Sequence, residues 1–413
     1  MTRDISDRSR HPGSSASPGL SSLSDNDRIK VIGLSALATG SGVIAWSGEP
    51  RLLPVAFLFP ALWALAPSRL SAVIVSAAYF LAASRGLPQG VANFYGSGHG
   101  AGLALWLGAA LAFVVVHAVL WTLRPGLTRP IRYGVAALLV SVPPFGIVGW
   151  AHPITAAGIL FPGWGWWGLV LAALGLLAAT TRYRVIVLPV FASFWMISTV
   201  TWADPEGPPD WVGIDTEFGG QQGEYAGYLQ YRETLALVDA APNAGRNVVV
   251  LPESAAGIWT PTVEHLWSAA LSDTDAIVVA GAITVDRQGY DNVMLAVPAA
   301  GTQTQILYRE RMPVPVSMWQ PWRQWTGGSG GARAHFFANP VFELAGQRVA
   351  PLICYEQLLI WPILQSAWHD PDVIVAIGNG WWTNGTNIIA IQKAAAIAWA
   401  RLFGLTLVMA FNS

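Results

Sequence analysis

Apolar and polar positions follow different patterns on the two sides of residue 204. Residues 1–27 are rich in Ser, Asp and Arg and hold no apolar run. That predicts a polar tail unable to bury enough surface to fold, and no cleavable signal peptide. Seven apolar segments follow, at about 29–48, 52–67, 70–87, 101–123, 133–151, 163–181 and 184–203. Each approaches the ~20 apolar residues that cross a bilayer, although the second is short and carries Pro54 and Pro60. Together they predict a multi-span α-helical membrane bundle over 28–203, with about seven transmembrane helices.

Beyond 204 the pattern changes to short β-prone runs separated by helical stretches. WVGID (211–215), NVVVLPE (247–253), AIVVAGAIT (276–284) and DVIVAIGN (372–379) predict buried strands, with a helix of about 222–241 between the first two. NVMLAVPA and TQILYRE predict paired strands around an Ala-Gly turn, and RVAPLICYE a strand that runs into a helix. IIAIQKAAAIAWARLFG predicts a helix and LTLVMAF a last strand. Residues 204–413 are therefore expected to form a layered α/β domain, with chemistry gathered at the carboxyl ends of strands.

Charge sharpens the division. The chain of 413 residues is 53% hydrophobic and 11% charged, against about 25% charged in soluble domains. Between Arg51 and Ala203 there is no Asp or Glu, and the charges there are eight arginines. Arg69, Arg124, Arg129, Arg132, Arg182 and Arg184 fall in the same alternate set of loops as the basic tail, whereas the opposite set holds only Arg51 and Arg85. The positive-inside bias places the N-terminus in the cytoplasm. Seven crossings then put 204–413 on the far side, which is the periplasm for the inner membrane of a bacterium with an outer membrane. A net charge of −1 gives no basic field for nucleic acid. His117 is the one ionisable residue well inside a predicted span, and the lack of intramembrane acids argues against a cation-coupled transporter.

Candidate chemistry centres on VAPLICYEQ, Val349 to Gln357, which holds the single cysteine, Cys354. A thiol at a strand-to-helix junction is expected to lean toward thiolate and to serve as a nucleophile; the plain alternative is a buried packing cysteine. Glu253 closes VVVLPES at another strand tip, within the reach a general base needs if the two strands are neighbours. Glu356 is a candidate to orient a helix terminus or a substrate amine. GGSGG (327–331) lacks the strand-to-helix frame of a serine nucleophile. His265, His335 and His369 lack metal-ligand spacing, and there is no phosphate-cradling loop, so no metal or cofactor is expected.

VVVLPES, YRERMPVPV, LICYE, GNGWWT and LVMAFNS occur in that order. The set resembles the nitrilase-type domain of apolipoprotein N-acyltransferases, members of the carbon–nitrogen hydrolase superfamily, together with their preceding membrane bundle. RMPVPVSMWQPW and LICYEQLLIWPILQS are closer still to a family of conjugal-transfer proteins of transmissible plasmids. The resemblance implies an αββα sandwich and a Glu–Lys–Cys triad, in which Glu is the base, Cys forms a thioester and Lys stabilises the tetrahedral intermediate. Glu253 and Cys354 match, as do Tyr355 and Glu356 after the nucleophile. Glu310 stands at the Lys position and Met318 where a second acid is expected. The chain also ends at Ser413, before the last strands and final membrane helix of the pattern, so its domain is expected to be C-terminally shortened.

The only lysines are Lys30, in the tail, and Lys393, in a late helix. Arg311 or Arg309 is left as the substitute, although strand alternation aims both at the opposite face unless a bulge intervenes. Loss of such a donor costs about 2.7–4 kcal/mol of barrier. Two readings stay open. One is a thiol-dependent acyltransferase or amidase that acts on a membrane lipid or a lipidated or amide substrate. The other is a non-catalytic envelope scaffold that binds proteins of the conjugation machinery.

Overall fold

The computed structural model describes residues 24–413 except 97, 220–225, 241–246, 273, 275, 298–302 and 329. The polar tail up to residue 23, the Ala-Gly turn and Ser329 of GGSGG lie outside the described residues.

The N-terminal half is helical. Helix α1 (Asp25–Ala45) starts at Ser24, whose side chain accepts from the Asp27 amide. The second apolar segment opens as a 3-10 turn (Pro50–Phe57) with Pro54 inside it, and only then becomes α2 (Leu58–Leu65); a proline in mid-segment removes a donor and loosens the α ladder. Helices α3 (Arg69–Ala83) and α4 (Leu87–Tyr95) form one apolar pair bent by 51°. They are followed by α5 (His99–Leu120), α6 (Thr128–Leu139), the short α7 (Ala157–Leu160), α8 (Gly165–Ala179) and α9 (Arg184–Val200).

Among the described residues, α1 and α5 are long and apolar enough to cross a membrane, and the bent pair makes a third. The remaining apolar stretches are shorter than a full span: Pro50–Leu65, α8 and α9. The expected segment 133–151 stops as a helix at Leu139, where Pro143 and Pro144 cannot continue it. On α5, Leu103, Leu107, Leu111, Val115 and Val119 face outward, an apolar stripe that a helix in water would bury.

From residue 211 the chain builds two sheets. The first has the order β1-β2-β3-β4-β5, from Trp211–Gly213, Val248–Val250, Ile277–Val285, Tyr290–Val297 and Gln305–Arg309. Its first three strands are parallel and the rest antiparallel. The second sheet has the order β6-β7-β8-β9, from Phe342–Leu344, Gln347–Ile353, Val373–Asn379 and Thr406–Asn412, with the last three parallel.

Side-chain alternation explains how the sheets stack. Val248 and Val250 join Val349, Ile353, Val373, Val375 and Ile377 in one core between the sheets. Val249 and Leu251 point the other way, onto α10 (Ala226–Ala240) and α11 (Pro261–Ala270) through Val238, Trp267 and Leu271. Ala350, Leu352, Ile374 and Ala376 cover the outer face of the second sheet against α13 (Ile360–Ala367) and α14 (Ile388–Phe403). A one-turn helix, α12 (Trp322–Trp325), lies in the connection before β6. The α/β part is thus the expected αββα sandwich.

The compositional boundary near 204 does not divide the core. Trp63, Phe80, Phe161 and the helices around them share one apolar cluster with Trp399 and Leu402 of α14. Gly158 in α7 lies directly against the Ala398 carbonyl, so that a Cβ there would collide with backbone. Asn387, at the start of α14, donates from Nδ2 to the Trp46 carbonyl at 2.8 Å. Gly158→Ala should therefore destabilise the chain by about 1–3 kcal/mol, read as a lower midpoint of thermal unfolding in detergent. Gly33→Ala, where a Cβ meets nothing within 4 Å, is the matched control and should leave the midpoint unchanged.

Candidate active site

Two strand ends face each other across the sandwich. Past β2 the chain turns at Pro252 and presents Glu253, whose backbone rests on Gly281 of β3; a Cβ on Gly281 would strike the Glu253 Cα. Past β7 the chain turns sharply at Cys354, which has a φ of +47°. A short 3-10 turn (Cys354–Leu358) leads on to α13. Left-handed backbone at a non-glycine residue costs about 1–3 kcal/mol and persists only where the surroundings enforce it.

Glu356 does the enforcing. Its Oε2 accepts from the Ile353 amide at 2.9 Å, and its Oε1 from the amides of Arg311 and Met312 at 2.8 and 3.1 Å. Tyr308 Oη donates to both oxygens, at 2.7 and 2.8 Å. One carboxylate, fully buried, thereby ties the end of the first sheet to the turn that carries the thiol.

The thiol sits among acids and amides. Gln392 of α14 donates from Nε2 to Cys354 Sγ at 3.7 Å. Glu253 lies near enough for its charge to act on the thiol. Asn292 of β4 donates from Nδ2 to Glu253 Oε1 at 2.7 Å and to Glu310 Oε2 at 3.1 Å. Cys354 and Glu253 keep 6% and 7% exposure, a narrow contact with solvent, whereas Glu310 keeps 1%.

The electrostatics correct one expectation. Burial pushes the Cys354 thiol well above its usual range, and the charges of Glu253 and Glu310 push it further. A short turn after the strand does not offset that, so the resting sulfur is a thiol and not the thiolate expected from the strand-to-helix junction. Burial also raises Glu253, against the donors Asn292, Cys354 and Asn379. It raises Glu310 strongly, with Glu356 and Glu253 adding like charge.

Arg311 does not stand in for a lysine. Its guanidinium is wholly buried and donates to Tyr308 Oη at 2.9 Å and to Gln365, Ser366 and the Pro351 carbonyl at 3.1 Å. It pairs with Glu356, Nε to Oε1, at 4.0 Å. Arg309 pairs with Asp291, and Lys393 with Asp215 at 2.8 Å. Tyr355 leaves the thiol as well: its Oη donates to the Ile147 carbonyl of the helical half at 2.7 Å. The structure thus brings together Glu253 and Cys354, uses Glu356 to hold the turn, and sends Arg311 and Tyr355 elsewhere.

Asn292 and Gln392 belong to the site although sequence reasoning passed over both. Each is a polar residue inside an otherwise apolar strand or helix face, 2% and 3% exposed, and that mismatch is the signal that marks them.

The family model for carbon-nitrogen hydrolase matches residues 81–401. The chain belongs to the carbon–nitrogen hydrolase family. Within that family it is similar to the conjugal transfer protein TraB of Agrobacterium fabrum, 54% identical over 100% of both chains. It is also similar to a probable conjugal transfer protein TraB of Sinorhizobium fredii, 56% identical over 90% of this chain and 95% of that one. Among solved structures, a nitrilase-superfamily amidase of Nesterenkonia aligns at 13% identity over 51% of this chain and 79% of its own, with a TM-score of 0.35.

Two outcomes follow from this geometry. Alkylation of Cys354 by iodoacetamide should be slow at neutral pH and rise as pH climbs beyond the ~8.5 of a free thiol, since the raised group ionises only there; a rate already at its plateau at pH 7 would contradict the thiol assignment. Arg311→Met leaves the Glu356 carboxylate buried and unpaired, so it should cost about 3–5 kcal/mol, measured as a fall in thermal stability at every pH where Glu356 is ionised.

Proposed function

We propose that this chain is a membrane-anchored thiol enzyme of the carbon–nitrogen hydrolase family, an acyltransferase or amidase that acts in plasmid conjugal transfer. The observation that carries the reading is the convergence of Glu253 and Cys354, both nearly buried, at strand ends of the two facing sheets, where the charge of Glu253 bears on the thiol. As the sulfur attacks an acyl carbon, the thiol proton passes to Glu253. The tetrahedral intermediate collapses with loss of an amine or alcohol, which takes that proton, and leaves a thioester on Cys354. An amine or water then attacks the thioester, giving its proton to Glu253, and the sulfur leaves as the thiol. A neutral thiol beside a base suits general-base activation, which typically contributes about 10²–10⁴-fold.

Apolar helices α1 and α5 and the outward stripe on α5 support membrane anchoring. The arginine distribution supports an inner-membrane orientation with the N-terminus in the cytoplasm and the sandwich in the periplasm. The substrate is then an acyl or amide group of a membrane lipid or a lipidated molecule. The names of the relatives support a place in conjugal transfer.

A scaffold that binds conjugation proteins is the second reading, and one observation favours it. Glu310 stands among acids where the resemblance calls for a lysine, which leaves the site rich in acceptors. Acylation separates the two readings. Full-length protein in detergent, incubated with p-nitrophenyl acetate and examined by intact mass, should acquire an acetyl group on Cys354. Glu253→Gln should slow that step by about 10²–10⁴-fold. Wild-type protein that stays unmodified, or Cys354→Ala that is labelled equally, would leave the scaffold.

A further inference from the structure

The acids around the thiol are short of donors. Glu253 Oε2, Glu310 Oε1, Asn292 Oδ1 and Gln392 Oε1 are buried acceptors without a hydrogen-bond partner. The two carboxyls share a single donor nitrogen, Asn292 Nδ2, at 2.7 and 3.1 Å. Two negative charges held that close and out of water repel strongly, and such a pair keeps one proton. The donors decide which carboxyl carries it. Glu253 holds the shorter bond to Asn292, 2.7 Å, and keeps 7% exposure, and both favour its ionised form. Glu310 receives Asn292 alone, at the longer distance, and lies deeper.

We propose that Glu310 is held as a neutral carboxylic acid whose O–H donates to the carbonyl oxygen of the acyl group under attack by Cys354, so that a bound proton does the work of a cation. The inference rests on the thiol-enzyme reading above. Glu310 is close enough to the thiol for a charge on it to oppose thiolate formation. When neutral, it no longer opposes the negative charge that develops on the substrate oxygen. No proton is consumed: the thiol proton travels through Glu253 to the leaving group, and Glu310 keeps its own while hydrogen-bonded to the oxyanion. Arg311, the nearby cation, stays with Glu356, so the two acids that could compete for it are separated by role.

The same acylation with p-nitrophenyl acetate, set beside alkylation with iodoacetamide, tests this, because alkylation builds no oxyanion. Glu310→Gln keeps a neutral N–H donor and should acylate within about tenfold of wild type. Glu310→Ala should acylate about 10²–10³-fold more slowly, while alkylation of both variants changes far less. Infrared spectra of wild-type protein at neutral pH should contain a protonated-carboxyl band that Glu310→Gln lacks, a readout that needs no turnover. Equal acylation by the Ala and Gln variants, or absence of the band from wild type, would overturn the proposal. Wild-type protein that alkylates at Cys354 but never acylates would instead sink the thiol-enzyme reading, and this inference with it.

Discussion

Four donors converge on the Glu356 carboxylate, three backbone amides and the Tyr308 hydroxyl, and the Arg311 guanidinium pairs with it at 4.0 Å. Hydrogen bonds to a buried charge contribute roughly 1.5–3 kcal/mol each, which outweighs the about 1–3 kcal/mol of strain in a left-handed cysteine. The carboxylate joins chain segments more than 40 residues apart in sequence, the end of β5 and the turn after β7. Without it, the turn that presents the thiol would lose the bonds that tie it to the first sheet. The geometry of the site is a consequence of this anchor, and Arg311 belongs to the anchor and not to the chemistry.

Because Arg311 is committed to the anchor, the thiol is left among acids. That arrangement is costly if every acid is ionised and workable if one carries a proton. It also explains why the sulfur rests as a thiol, since a thiolate beside Glu253 and Glu310 would add a further charge to a desolvated cluster. In the proposed reaction Glu253 takes the proton as the sulfur attacks. The helical half takes part through contact. Tyr355 ties the turn to the Ile147 carbonyl, and α14, which carries Gln392, is packed against α7 through Gly158.

The layered fold was legible in the sequence because buried strands read as continuous apolar runs, and VVV, IVVAGAI and VIVAI all return as strands. Glu253 and Cys354 were legible as polar endings of such runs. The partners of the site were less so. Asn292 and Gln392 gain their meaning from contacts that cross 39 and 38 residues, which no local pattern encodes. Strand parity alone could not place Arg311, because the pairing of β4 and β5 shifts register at Met294/Leu295 and β5 ends at Arg309, before that residue. The seven apolar segments all contain helix, yet prolines shorten or bend several of them, and an apolar count cannot distinguish a bent pair from a full span.

The central claim is that the Glu253–Cys354 pair performs chemistry in service of transfer. The most direct measurement is the conjugation frequency of a plasmid whose own copy of this gene carries Cys354→Ser, at protein levels matched to wild type. A fall of about 100-fold or more, the scale on which loss of a nucleophile acts, is the result expected. Transfer at the wild-type frequency would contradict the account and leave the sandwich as a binding surface.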